Sequence, residues 1–425
     1  MPLLSIIITS YNVEDYLDES ITDIRDQTLQ DLEIVVVDDG STDTSPEIIA
    51  RHAAEDDRVV PILLGENSPG GVATAANAGL DAATGTYVGF ADGDDRYDPT
   101  MFQRLLEAAQ ADDADLAACG YVLLDDKTGE TAPPADQKRW DQLEAKTYQL
   151  DNENVVKSFL RLIAVPWRKI YRRSMLEEGD IRFPVGDYFF EDNPFHWFSV
   201  LSATSIAVVP DALCQHRVAR VGQTMSTVDS KLLRIFDHHP TILSWLKAKQ
   251  LDGQYGTTLV GWAVSQLEWI SQKAPKDLQR ELFNRGREVV GEYTAAQVET
   301  ALVEGSKGRR AKEMCAALRA NDFDGFVSAG QRKPTQRSLL DRGLSHLRED
   351  GLLQTSTLAG RYFGQQTKRV ARQTGATRVI KGAGRQKVDR EDLLFALMLI
   401  ERRLEALDGK VDALQSSVEE LSGEL

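Results

Sequence analysis

A chain of 425 residues is too long for one ordinary core, so two or three domains are expected. Hydrophobic residues at 42% and charged residues at 27% belong to a globular chain and exclude a disordered one. The formal net charge of −17 argues against nucleic-acid binding, and three dispersed cysteines (Cys119, Cys214, Cys315) without CxxC spacing suggest neither a disulfide framework nor a zinc site.

The first apolar run follows no basic residue, so it reads as a strand and not as a signal peptide, and no stretch approaches the 18 apolar residues of a membrane span. A cytoplasmic protein is expected, with peripheral contact at the inner membrane face left open. Strand signals at Leu3 to Thr9, Ile34 to Val37, Val59 to Leu64, Thr86 to Ala91 and Asp115 to Tyr121 alternate with helical segments. The helices fall at Glu14 to Asp26, Ser45 to Glu55, Val72 to Ala83 and Thr100 to Ala111. This alternation predicts an α/β fold, a mainly parallel sheet with helices on both faces. Ligands collect beyond the carboxyl ends of such strands, which directs attention to "TSYN" (9–12), "DDGSTD" (38–43) and "ADGDD" (91–95).

Residues 122–165 are polar and read as a connecting excursion. Aromatic residues return from 166 to 226, and 229–330 read as helical, with tryptophans at helical spacing that serve packing. Between Arg361 and Arg390 nine basic residues face one acid, Asp389; the segment reads equally as a contact for anionic lipid and as a solvated linker. Leu397, Ile400, Leu404, Leu407, Val411, Leu414, Val418 and Leu421 keep a three-four spacing, which predicts a coiled coil and self-association.

The acidic loop "ADGDD" has two readings. Asp-Gly is good turn chemistry, and Asp92, Asp94 and Asp95 could also hold a hard divalent cation. Neither GxGxxG after the first strand nor GxxxxGK[ST] occurs, so a bound nucleotide would need its phosphate charge offset in another way. Glu191-Asp192, set among aromatics in "GDYFFEDNPFHW", suits proton abstraction from a hydroxyl.

The stretch "LSIIITSYNVEDYLDESITDIRDQTLQDLEIVVVDDGSTDTS" resembles the opening of family-2 glycosyltransferases, inverting enzymes of the GT-A fold that use nucleotide sugars. "GGVATAANAGL", "GTYVGFADGDD", "VPWRKIYRRSML", "FFEDNPFHW" and "CQHRVARVGQTMS" are similar to its later motifs, in order, over residues 3–226. The resemblance implies nucleotide-sugar contacts from Thr9, Tyr11, Asp38, Asp39, Asn77 and Asp92, with Asp92 close to the ribose. It implies a metal (Mn²⁺ or Mg²⁺) held by Asp94 and His216. Asp192 would be the general base, supported by Glu191. Arg217, Arg220 and Thr224 would clamp the diphosphate, and Trp167 would face an acceptor sugar. Ala76 stands where many relatives carry arginine, which leaves the donor open.

The expected organisation is a GT-A catalytic domain (1–226), an α-helical domain (227–335), a basic linker or membrane-surface segment (336–390) and a coiled-coil helix (391–425). A hydroxyl of a cell-surface polysaccharide, a teichoic-acid-like polymer or a lipid-linked glycan is the expected acceptor. A nucleotidyltransferase would need a basic glycine-rich loop after the first strand, which "TSYNVEDYLDES" is not. A catalytically degenerate coiled-coil scaffold is the other alternative.

Overall fold

The computed structural model describes residues 2–186, 189–220 and 230–331. The basic segment, the heptad tail and Thr224 with its Gly222-Gln223 neighbours lie outside the described residues.

The chain opens β1 (Leu4–Ser10), α1 (Glu14–Arg25), β2 (Leu32–Asp38), α2 (Ser45–Glu55), β3 (Val59–Leu63), α3 (Ala73–Ala82) and β4 (Tyr87–Asp92). Then come β5 (Arg96–Tyr97), α4 (Met101–Ala111), β6 (Leu116–Asp125), β7 (Thr131–Ala132), α5 (Gln137–Trp140), β8 (Thr147–Gln149), α6 (Glu153–Leu160), β9 (Lys169–Arg172) and α7 (Arg173–Glu178). α8 (Asp192–Ser202) and the long β10 (Ser205–Val218) complete the sheet region. A 3₁₀ segment (Ser230–Asp237) leads into α9 (His238–Ala248), α10 (Asp252–Ser271), α11 (Gln279–Gly291), α12 (Ala295–Glu304), α13 (Arg309–Ala320) and α14 (Phe323–Gln331).

The strand order is β3-β2-β1-β4-β9-β6-β10-β5. β3, β2, β1 and β4 are mutually parallel, as are β6 and β10. β9 enters antiparallel between β4 and β6, so the sheet is mixed and not simply parallel. Because β9 runs against both neighbours, β4 and β6 point the same way. The carboxyl ends of β1, β2, β4, β6 and β10 therefore share one edge.

Along β1, Leu4, Ile6 and Ile8 join one core and Ile7 the other, as period-2 alternation requires of a strand covered on both faces. α1 and α4 cover the first face, and α3, α6 and α8 the second. A third core, built on α10 to α14, holds the helical part together. Among the described residues the helices pack into the same compact unit as the sheet.

The stretch 122–165 is more ordered than its polarity suggests. Trp140, Val156, Phe159 and Leu160 are buried, and the last three lie at the i, i+3, i+4 spacing of one helix face in α6. Asn152 caps that helix by accepting from the backbone N–H of Asn154 and Val155. No helix among the described residues is long and apolar enough to cross a membrane.

Candidate active site

Register alone brings the first candidates together. Thr9 lies beside Val37 on one side and Asp92 on the other, and Ser10 lies beside Asp38. After Asp92 the chain turns tightly, and the Gly93 N–H donates to the Thr9 carbonyl at 3.0 Å. A Cβ at 93 would stand 2.9 Å from that carbonyl oxygen, so the turn admits glycine alone without adjustment. The turn reading and the carboxylate reading of "ADGDD" are thus one structure: the turn presents the acids.

β10 supplies the opposite wall. His216, next to Leu123 of β6, reaches Asp95 with Nδ1 2.9 Å from Oδ2 and 3.1 Å from Oδ1. Ligand atoms of Asp92, Asp95 and His216 lie within 4.8 Å of one another. Burial, then the charges of Asp95 and Asp94, push the Asp92 carboxyl well above the usual range. Burial also raises Asp95, against the pull of His216. Burial works against a charged His216, but the Asp95 carboxylate overrides it and lifts the imidazole to about 9. Carboxylates packed this closely repel one another and favour a cation among them. The donor set, two carboxylates and an imidazole, fits a hard or borderline divalent ion such as Mg²⁺ or Mn²⁺.

This geometry corrects part of the expected assignment. Asp94 adds its charge to the cluster but gives Oδ2 to the Arg220 guanidinium. Asp95, which the sequence offered only with Asp92 and Asp94 as a candidate for a cation, is the acid that meets His216. Arg217 was expected at the diphosphate, yet its guanidinium is buried and engaged inside the protein. Nε donates to the Asp94 carbonyl, Nη1 to Asp126 and Nη2 to Glu19, at 2.8 to 2.9 Å.

Two other expectations shift for similar reasons. The Asn77 amide is matched to the main chain of Phe183, donating to its carbonyl at 2.8 Å and accepting its N–H at 2.9 Å. It braces the segment before Glu191 instead of facing a nucleotide. Trp167 is 3% exposed, stacked on His216 with ring centres 5.2 Å apart and set edge-on to Tyr121. It backs the imidazole of His216 and offers no open face to a sugar.

At the end of β2, Asp38 accepts the Ser41 N–H and hydroxyl, and Asp39 accepts the Ser68 N–H and hydroxyl. Both carboxylates shape their loops, and Tyr11 stands exposed at the rim.

Asp192 begins α8, and Glu191 precedes it. Glu191 is buried and accepts the N–H of Ala73 at 3.1 Å at the start of α3, an end that favours negative charge. The carboxylate lies so close to the glycine-rich turn that a Cβ on Gly71 would sit 2.2 Å from its Oε1. Burial nevertheless raises the Glu191 carboxyl. Asp192 is different: its Oδ1 is sealed from solvent and has no hydrogen-bond partner among the described residues. Burial, then the Glu191 charge, raise it to about 8, and Lys169 and His216 act in the other direction. Asp192 is close enough to Asp92 to raise it in turn.

Lys169 and His196 lie in the same buried layer. Lys169 Nζ donates to the Val165 carbonyl at 2.7 Å and lies 3.4 Å from His196 Nδ1. Burial, and then the charge of Arg168, hold Lys169 well below the normal lysine range.

Comparison with known proteins bears on the family and the fold. The family description "Glycosyl transferase family 2" matches residues 5–179. The chain is 36% identical over 218 residues to the uncharacterized glycosyltransferase EpsJ of Bacillus subtilis, covering 51% of this chain and 61% of that one. It is 30% identical over 227 residues to the glycosyltransferase GlyG of Streptococcus pneumoniae, covering 53% of this chain and 73% of that one. The fold is similar to that of S. aureus TarS residues 1–349, solved with UDP-GlcNAc: TM-score 0.61 at 21% identity, covering 78% of this chain and 91% of that one. The chain thus spans about 61% of the first curated relative's length.

Proposed function

The chain belongs to glycosyltransferase family 2, and on that premise we propose that it transfers a sugar from a nucleoside-diphosphate sugar to an acceptor hydroxyl with inversion. One observation carries the reading. Asp92, Asp95 and His216 meet at the sheet edge, and within their electrostatic reach stands a carboxyl whose Oδ1 has no partner among the described residues, Asp192.

Asp92, Asp95 and His216 would hold a divalent cation, with Asp94 beside them on Arg220. When bound, the ion would offset the charge that grows on the leaving nucleoside diphosphate. Thr9, Tyr11, Asp38 and Asp39 line the side where the nucleoside would lie, at the ends of β1 and β2. Asp192 takes the proton of the acceptor hydroxyl onto its carboxylate, the oxygen attacks the anomeric carbon, and the nucleoside diphosphate leaves from the opposite face. One displacement inverts the anomeric configuration. Glu191, fixed to the start of α3, keeps the base in place.

The donor is proposed to be UDP-linked. The acceptor is proposed to be a cell-surface polysaccharide, a teichoic-acid-like polymer or a lipid-linked glycan. Self-association through the heptads of 391–425 and membrane contact through 336–390 belong to the same proposal.

The test is a panel of UDP-, GDP- and CDP-sugars with Mn²⁺ or Mg²⁺, read as nucleoside-diphosphate release, with the anomeric configuration of the product read by proton NMR. Release with one donor, and inversion in the product, is the expected result. Release of pyrophosphate would make the protein a nucleotidyltransferase. No turnover of any donor by a folded, self-associating protein would favour the scaffold.

A further inference from the structure

The segment that carries Asp192 is held from two sides, and one of them is the helical part of the molecule. On the sheet side, Glu191 binds the start of α3. On the helical side, Trp262 in the middle of α10 donates its indole N–H to Asn193 Oδ1 at 3.1 Å. Asn193 in turn donates its side-chain amide to the Phe190 carbonyl at 2.9 Å and its backbone N–H to the same carbonyl at 3.0 Å. An indole N–H can only donate, so Asn193 must turn its oxygen to Trp262 and its NH₂ to Phe190. The amide is thereby oriented without ambiguity.

His238, first residue of α9, lies with Nε2 2.7 Å from the Phe189 carbonyl. Burial lowers its pKa, so the neutral ring carries its proton on Nε2 and donates it. The Lys231 ammonium stands 5.3 Å from the centre of the Phe189 ring. Phe190 packs against the helical core and adopts a left-handed backbone, φ 70°, which a non-glycine residue holds only when its surroundings enforce it.

We infer that Trp262, with His238, is a positioning residue of the transfer reaction, holding the Phe189–Asn193 segment so that the Asp192 carboxyl meets the acceptor hydroxyl. The inference rests on Asp192 being the base. It gives the helical part a share in the active site. Around Asp192 the neighbours Phe189, Phe190, Glu191 and Asn193 are each bound to an outside element or to one another. Within this held segment the buried Asp192 Oδ1 has no hydrogen-bond partner among the described residues.

Trp262→Phe removes the N–H and keeps most of the packing. Hydrogen exchange followed by mass spectrometry needs no substrate, and it should show peptides across 189–195 exchanging about tenfold faster while those of α11 to α13 stay unchanged. Turnover of UDP-N-acetylglucosamine to UDP, or of whichever nucleotide sugar the wild-type protein consumes, should lose about tenfold in kcat with donor KM unchanged. His238→Gln retains an N–H for Phe189 and should preserve kcat, and His238→Leu should not. Unchanged exchange over 189–195 in folded Trp262→Phe would overturn the inference, as would faster exchange with wild-type kcat. Asp192→Asn separates the two readings: if that variant keeps wild-type kcat, the base assignment fails, and the exchange result still decides whether Trp262 holds the segment.

Discussion

Asp95 and His216 are 121 residues apart in sequence and 2.9 Å apart across the ends of β4 and β10. Asp95 immediately precedes β5, which pairs antiparallel with β10, and the register that sets Tyr97 beside Cys214 and Arg96 beside Gln215 carries on to set Asp95 opposite His216. The indole of Trp167 lies flat against the other side of the imidazole, its plane within 14°.

Trp167 therefore contributes to stability and to the setting of His216, not to sugar recognition. Trp167→Ala should cost about 3–5 kcal/mol of unfolding free energy, as for other buried aromatic truncations. Trp167→Phe should keep the fold and leave acceptor KM unchanged. Urea unfolding and acceptor kinetics read the two quantities separately. A raised acceptor KM in well-folded Trp167→Phe would restore the sugar-facing role.

Asn77 makes the same kind of distinction. Its side chain is spent on both polar groups of Phe183, so Asn77→Ala leaves a half-buried N–H and C=O unmatched. A loss of about 1–3 kcal/mol in stability is expected, with nucleotide affinity within twofold of wild type. Calorimetric titration alongside thermal melting checks both.

Gly71 is where the glycine-rich motif and the segment carrying Glu191 and Asp192 touch. Gly71→Ala would press a methyl group into the Glu191 carboxylate, which must then leave the start of α3. Overpacking of this kind costs about 1–3 kcal/mol. The larger expected effect is a fall in kcat as the base loses its support, with nucleotide affinity retained. Gly65→Ala is a poor control, because that glycine has φ +79° and its substitution is strained whatever the space. Gly253→Ala, in the first turn of α10 with open space around it, should leave kcat unchanged.

The pH dependence follows from Asp192. Its carboxyl, raised to about 8 first by burial and then by the Glu191 charge, is neutral below that pH and must ionise to take a proton. In the free enzyme kcat/KM should rise with pH through about 8. In the unfolded chain the group titrates near 4, about four units lower. The native state thus binds the proton more tightly, and the stability this gives is complete below about pH 4 and lost as the pH rises through about 8. Asp192→Asn should lose about 10²- to 10⁴-fold in rate. Its melting temperature should exceed wild type by a few degrees at pH 8.5, with a smaller gap at pH 5. A variant that melts below wild type at pH 8.5 would contradict the burial argument.

The element pattern was readable because it depends on local periodicity. α2 was expected and found at Ser45–Glu55, and the first strands fall within a residue or two of their expected places. β9 was not foreseen as a strand: Lys169–Arg172 is four residues long and half charged, and only the sheet on either side of it makes those residues extended. α6 was missed because its apolar face is one short stripe in a polar stretch. Of the candidate site, the motifs pointed to the loops at the strand ends. They could not mark which acid faces which base, because that depends on contacts such as Asp95 to His216, Asp94 to Arg220 and Trp262 to Asn193. A tryptophan spaced as helix packing gave no hint of its hydrogen bond. The exposed Tyr11 and the carboxylates of Asp38 and Asp39 remain where the loops were expected to gather.

The proposal that the carboxylate–imidazole cluster of Asp92, Asp95 and His216 holds the ion a nucleotide needs can be tested in solution. It is tested most directly by calorimetric titration of UDP, with GDP and CDP alongside, with and without Mn²⁺, on wild type, Asp95→Asn and Asp94→Asn. Binding of one nucleotide is expected that requires Mn²⁺, is abolished by Asp95→Asn and is weakened less by Asp94→Asn, whose partner in this structure is Arg220. Equal binding with and without Mn²⁺, or loss with Asp94→Asn and none with Asp95→Asn, would contradict it.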